Sequence, residues 1–207
     1  VALAQRNFKR MVAYTSVNHM GYILLAVGAA GLVAGGDAQA RTLAVTGAVT
    51  QMVSHGLITG ALFLLSGVLY ERGRTYDMAA YGGLAAATPV FAGLTGVAAF
   101  ASLGIPGFSG FIAEFQVFTG SLGAAPVATA LALLGILITA ALFLLALQRI
   151  FLGPARASLA SPGDVRASEL WSIAPLLLVA LAIGLFPRML LDVIEPASRA
   201  VIALVGR

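Results

Sequence analysis

Cysteine is absent from this 207-residue chain, and charge is scarce, with Asp, Glu, Lys and Arg making up only 10% of its residues. Without cysteine there are no disulfides, no thiolate-held iron–sulfur clusters and no cysteine zinc site on the chain. Soluble domains carry about 25% charged residues, so the low charge excludes an ordinary solvated surface. Phosphate-binding loops are missing too. Gly104, Gly107 and Gly110 have a superficially similar spacing, but no Gly-Lys-Ser/Thr follows them and no strand precedes them. The two histidines and the acids have no metal-ligand spacing, and no Ser/His/Asp or dinucleotide fingerprint stands out. The excess of Lys and Arg, 12 against 8 acids, is not a nucleic-acid signal, because the basic residues sit at helix ends, where membrane topology places them.

What the chain has instead is apolar sequence, 60% of its residues, at a mean hydropathy of +0.99. Long apolar runs separated by charge clusters predict an all-α, multi-pass membrane protein organised as a single transmembrane domain over 1–207. Five spans are expected, at about Val12–Ala34, Thr42–Tyr70, Thr88–Leu122, Val127–Leu152 and Leu170–Phe186. The tail Arg188–Arg207 is expected to lie on the membrane surface as an interfacial helix or to begin a further helix, with Pro196 limiting any one helix there. The opening Val-Ala-Leu-Ala-Gln, without Met or signal peptide, reads as the tail of an earlier helix in a longer protein. Arg6, Lys9, Arg10, Arg72, Arg74, Arg149, Arg156 and Arg166 fall on one side of this topology, and the short loops of the other side hold only Arg41. That bias predicts a cytoplasmic basic side. Asn7 is a candidate N-cap for the first span, Gln148-Arg149 an interfacial anchor, and Trp171 an aromatic-belt residue.

The third span is the informative one. Thirty-five residues of helix would reach about 52 Å, against roughly 30 Å of hydrocarbon. The run is cut by Leu103-Gly104-Ile105-Pro106-Gly107-Phe108-Ser109-Gly110. Proline removes a donor and clashes with the preceding turn, so two half-helices are expected, hinged at Gly104, Pro106, Gly107 and Gly110. The competing reading is a helical hairpin turning at Pro-Gly. One turn past the break stands Glu114. His19 and His55 are the other titratable groups at expected membrane depth, and ionisable residues there point to an ion or proton path. Thr15 and Tyr22 share a helix face with His19. Gln51, His55, Thr59 and Ser66 form a polar stripe within about 80° on the second span. Imidazole accepts at one nitrogen and donates from the other, which suits a relay. Plain helix–helix adhesion is the alternative use of such polar groups.

Phe8-Lys9-Arg10-Met11-Val12-Ala13-Tyr14-Thr15-Ser16-Val17-Asn18-His19-Met20-Gly21, Gln51-Met52-Val53-Ser54-His55-Gly56, Leu69-Tyr70-Glu71-Arg72 and Leu103–Phe115 resemble the antiporter-like membrane subunits of proton-pumping NADH–quinone oxidoreductase (respiratory complex I), of the subunit M type. The resemblance covers nearly the whole chain and is weakest after about residue 155. It implies a subunit of about fourteen helices, of which this chain is the C-terminal portion. It also implies a proton path through His19 and His55 to Glu114, with homologous antiporter-like subunits and other membrane subunits as partners. Flavin, iron–sulfur clusters and quinone are expected on partner subunits and no cofactor or metal on this chain. The expected setting is the bacterial inner membrane. Asn7 stands where the family usually has Asp, and either residue caps a helix. The family's other key acid and lysines lie on helices that precede this sequence. The nearest alternatives are a subunit of an Mrp-type Na+/H+ antiporter or of a membrane-bound hydrogenase; a structural membrane scaffold is an alternative of another class.

Overall fold

A computed structural model describes residues 2–32, 37–155 and 163–205. These are helical throughout, with a single isolated β-bridge between Asn7 and Asp77. The long helices are α1 (Phe8–Leu32), α2 (Ala38–Gly73), α4 (Pro89–Ser102), α5 (Ser109–Leu122), α6 (Pro126–Phe151), α7 (Ala167–Leu185) and α8 (Arg188–Val205), with a one-turn α3 (Leu84–Ala87) before α4. Three of them, α2, α6 and α7, are long and apolar enough to cross a membrane on their own. The α1 helix has the length, but it spends much of its first half on polar residues that turn inward. The outer faces of α6 and α7 present Leu131, Leu137, Leu178 and Trp171 uncovered, as expected where hydrocarbon is the solvent. Asn7 caps α1 as expected, its Oδ1 accepting from the Arg10 amide at 2.9 Å.

The ends of the broken span settle its course. The N-terminus of α4 lies on the side of the basic clusters, where the Asp164 carboxylate accepts from the amides of Val90 (2.9 Å) and Phe91 (3.0 Å). The C-terminal part of α5 lies beside the start of α2, with Gly120 against the backbone of Ala40 and Ala44. Start and finish are on opposite sides, so Thr88–Leu122 is one discontinuous crossing and not a hairpin. Gly104 (φ 65°) and Gly107 (φ 105°) take left-handed backbone at the joint, a conformation glycine adopts without the Cβ penalty. Gly184 of α7 packs directly on the carbonyl of Gly107, so protein covers the irregular backbone, as membrane depth requires.

The basic side is held by a clamp. Arg72 at the end of α2 grips both oxygens of Glu169, with Nη2 to Oε2 at 2.6 Å, and donates from Nη2 to the Asp164 carbonyl at 2.8 Å. Such bidentate guanidinium–carboxylate pairs add geometric specificity. Burial alone would push the Asp164 carboxyl up, but the amides of Val90, Val165 and Phe91, and then the Arg72 guanidinium, outweigh it and hold it below the usual carboxylate range. A carboxylate depressed in the folded chain stabilises it above the ordinary Asp pKa of about 3.9 and loses that contribution as pH falls through the folded value. Protection of the Val90 and Phe91 amides against exchange, taken relative to the unstructured rate at the same pH, is therefore expected to fall below about pH 4. In Asp164→Ala their exchange should run about fivefold faster even at neutral pH, corresponding to about 1 kcal/mol for a lost helix cap. Exchange rates unchanged in that variant would show that Asp164 does not hold α4.

Two expectations need correcting. Arg41 is not a loop residue: Asp37 caps α2 by accepting from the Gln39 amide at 2.9 Å, which puts Arg41 in the first turn. There it is only 4% exposed, and its Nε donates to the Ala30 carbonyl at 2.8 Å, stapling the end of α1. Pro196 does not limit α8, which runs through it as one helix. Pro196 and Asp192 are both exposed, so the carbonyl that proline leaves without a donor faces outward, where it can be solvated. Ile194, Ser198 and Ile202 form the covered face of α8, and the helix lies against the start of α2. The short α3 was not expected either. The expected basic residue Arg156 lies outside the described residues.

Candidate functional site

Two glycines set the site by letting helices touch. A Cβ on Gly47 of α2 would stand 2.6 Å from the Val117 amide nitrogen, and one on Gly120 of α5 would stand 2.5 Å from that of Ala44. Small residues at such positions allow backbones to approach closely. The approach presses the Glu114 turn of α5 against the Gln51–Thr59 stretch of α2, and α1 closes the third side.

At that meeting point lies a cavity of about 10 Å³, lined among others by His19, Gln51, Ser54, His55, Thr59 and Glu114. That is close to the smallest space that holds one water. His19 Nδ1 is 3.2 Å from His55 Nδ1, with the rings edge-on at 5.3 Å between centroids. Only one proton fits between those nitrogens. A hydrogen bond between them needs one ring to donate from Nδ1 and the other to accept at its own Nδ1. Thr59 Oγ1 lies 3.1 Å from the same His55 Nδ1, so its hydroxyl completes a branched junction. The lining also carries two buried polar atoms without a protein partner among the described residues, Gln51 Oε1 and Ser102 Oγ.

Glu114 is 6% exposed and approaches the break itself, since a Cβ on Gly104 would stand 2.5 Å from its Oε2. Gly104 thus meets two demands, a positive φ and room for the carboxyl group. Gly110 brings the half-helices together, its would-be Cβ lying 2.9 Å from the Ala101 carbonyl. Pro106 sits in the short linker between them, flanked by the two left-handed glycines.

His19, His55, Glu114, Gln51 and Thr59 come together, as do hinge residues Gly104 and Gly110 beside them. Thr15 does not join: its hydroxyl donates to the Val12 carbonyl of its own helix at 2.7 Å. Tyr22 stands next to His19, 6.0 Å between ring centroids, but its hydroxyl accepts from Asn18 Nδ2 at 2.8 Å. Asn18 also reaches Thr139 Oγ1 of α6 at 3.1 Å, forming a polar contact between α1 and α6 beside the cavity. Ser66 turns back to the Phe63 carbonyl at 2.7 Å and leaves the stripe. Ser54, Ser102 and Ser109 were not singled out from the sequence. Ser54 and Ser109 join α2 to the start of α5 at 2.8 Å, and Ser102 lines the cavity. For Ser102 and Ser109 the available signal was serine flanking a break in an otherwise apolar segment. Among the described residues no group of three His, Asp or Glu side chains converges as a metal ion requires.

Comparison with known proteins gives the arrangement a context. Residues 1–139 match the family described as NADH:quinone oxidoreductase/Mrp antiporter, transmembrane. Subunit M of the F(420)H(2) dehydrogenase of Methanosarcina mazei is 39% identical over 204 residues, covering 99% of this chain and 39% of that protein. Subunit M of the NADH-quinone oxidoreductase of Rickettsia bellii is 40% identical over 194 residues, 93% of this chain and 37% of that one. A chain of respiratory complex I from Thermus thermophilus superposes with a TM-score of 0.88 at 32% identity, over all of this chain and 41% of its own length. The chain therefore spans about two fifths of the length of the relatives it matches. With a family match over most of its length and the broken-helix fold in common, this chain belongs to the NADH:quinone oxidoreductase/Mrp antiporter family of membrane subunits.

Proposed function

We propose that the chain is one transmembrane domain of a longer proton-translocating subunit, of the subunit M type, in a redox-driven quinone oxidoreductase. Protons pass between His19 and His55 and on to Glu114, driven by electron transfer in partner subunits. The observation that carries this reading is the convergence of all three titratable groups at membrane depth, from three separate spans, on one water-sized polar cavity. Polar groups at that depth are costly and are kept where they pair or line a path. A histidine pair sharing one proton position can accept a proton on one side and release one on the other.

The chain supplies no redox centre in this scheme. Flavin, iron–sulfur clusters and quinone belong to partner subunits, and homologous antiporter-like subunits complete the membrane arm. The relatives named for F(420)H(2) and for NADH fit a module whose electron donor is chosen elsewhere in the complex. The setting is the bacterial inner membrane with the basic face cytoplasmic, which the concentration of Arg6, Lys9, Arg10, Arg72, Arg74, Arg149 and Arg166 on one side supports. The second reading is an Mrp-type Na+/H+ antiporter subunit, favoured by the family description, which covers both systems.

The test is proton translocation in membrane vesicles carrying His55→Gln, His19→Gln or both in the full-length subunit. Each single variant should lower donor-driven pumping about a hundredfold, the lower end of what one proton-transferring group contributes. The double variant should be little worse, because the residues act in series. Unchanged pumping in assembled complexes would assign the pair to helix packing.

A further inference from the structure

On the side of the basic clusters, away from the cavity, the N-terminal segment, the 78–83 turn and the end of α6 enclose a groove of about 910 Å³. Arg6 and Arg149 both line it, with Gln148 beside them, and among the described residues no Asp or Glu does. Neither guanidinium has an ion-pair partner among the described residues. The walls are fixed by backbone: the Met78 amide donates to the Arg6 carbonyl at 2.8 Å, and the Gly83 amide to the Leu152 carbonyl at 3.0 Å. The groove adjoins the C-terminus of α6, but the dipole there amounts to about half a negative charge, against two full positive ones. The comparable groove on the opposite side, lined by Arg41 and Arg199, contains Glu195, which pairs with Arg199 at 3.1 Å and so neutralises part of its own charge. Among the described residues the Arg6–Arg149 groove has no such internal counterion.

We infer that this groove is a binding site for the phosphodiester of an anionic phospholipid. Arg6 and Arg149 hold the phosphate between them, and Gln148 supplies amide donors. The apolar part of the wall decides between a lipid and free phosphate. Leu145 and Leu152 line the same groove and are exposed, and they continue into the uncovered outer face of α6 through Leu144 and Leu137. A headgroup seated between the arginines therefore has a track for its acyl chains toward the hydrocarbon. Basic pockets at the ends of transmembrane helices recognise anionic headgroups in this way, and guanidinium offers the planar fork that phosphate accepts. The site is independent of the proton path, so its test does not read pumping.

The experiment is native mass spectrometry of the full-length subunit in its intact complex, reconstituted into nanodiscs of phosphatidylglycerol mixed with phosphatidylcholine and then released into detergent. The wild type should keep phosphatidylglycerol in preference to phosphatidylcholine. Arg6→Gln and Arg149→Gln should each lower that retention about tenfold, the factor equivalent to about 1.4 kcal/mol, the low end for one hydrogen bond to a charged group. Arg10→Gln, a change to an exposed arginine of the same side outside the groove, should leave it unchanged. Equal retention of both lipids, no loss in either groove variant, or an equal loss in Arg10→Gln would overturn the site. Displacement of the bound lipid by excess inorganic phosphate would assign the arginines to a free anion and overturn the lipid reading.

Discussion

Glu114→Gln in the full-length subunit is expected to abolish donor-driven proton translocation while the complex still assembles. The substitution keeps size and shape and removes only the ability to carry a proton. Glu114 is buried at the hinge, its carboxyl group against Gly104 and its side chain in the cavity wall with both histidines. No described residue provides it with an ion pair. A neutral amide in that position therefore breaks no ion pair of the described chain, and any loss in assembled complexes reads the chemistry. A relay in series fails at its weakest link, so the expected fall is at least about a hundredfold, the lower end of what one proton-transferring group contributes. The measurement is proton uptake into vesicles with the electron donor supplied, alongside the yield of assembled complex. Normal pumping in assembled complexes would make Glu114 a structural residue and favour the scaffold alternative. A wild type in which proton movement does not depend on an electron donor would point to the antiporter instead.

The broad plan of the molecule was legible because it rests on local signals. Apolar run length marks the crossings, and Leu103–Gly110 carries its break in its own composition. The polar stripe on α2 points Gln51, His55 and Thr59 to one face through helical periodicity alone. Periodicity names a face, however, and not the partner that meets it. That His19 and His55 stand 3.2 Å apart depends on how α1 packs on α2, a contact between residues 36 positions apart. Asp164 is a clearer case: it caps α4 from a loop more than 70 residues away, while Thr88, the residue at the cap position, makes no side-chain cap bond. Thr15 was legible only in part, because its position on the His19 face says nothing of whether its hydroxyl turns back to its own helix. For α8, a local rule misled, since an exposed proline can be carried through a surface helix. Arg41 reads as a loop charge from its position between two apolar runs; what holds it buried is the Ala30 carbonyl near the end of α1.

The close approach of α2 and α5 sets the geometry on which everything above depends, and it leads to the largest structural effect. Gly120→Val should prevent accumulation of the folded subunit. Even a single Cβ at Gly120 would lie 2.5 Å from the Ala44 nitrogen and 2.9 Å from the Ala40 carbonyl oxygen, and these are backbone atoms that cannot rotate away. Valine adds two methyl groups to that overlap, so α5 must move bodily off α2. Overpacking of this kind costs about 1–3 kcal/mol where side chains can yield, and here none can. Gly47→Ala should be milder in volume but the same in kind, because its Cβ meets the Val117 amide at 2.6 Å. Both changes should separate Glu114 from Gln51 and His55 before they unfold the bundle. Gly93→Ala and Gly96→Ala provide the control: nothing lies within 4 Å of a Cβ at either position, and alanine in a helix interior is favoured over glycine by about 1 kcal/mol. Subunit yield and thermal stability in detergent should therefore fall sharply for Gly120→Val, fall less for Gly47→Ala, and hold or rise for the α4 pair. If Gly120→Val proved as stable as those controls, the α2–α5 contact could not be what seats Glu114 against the histidines.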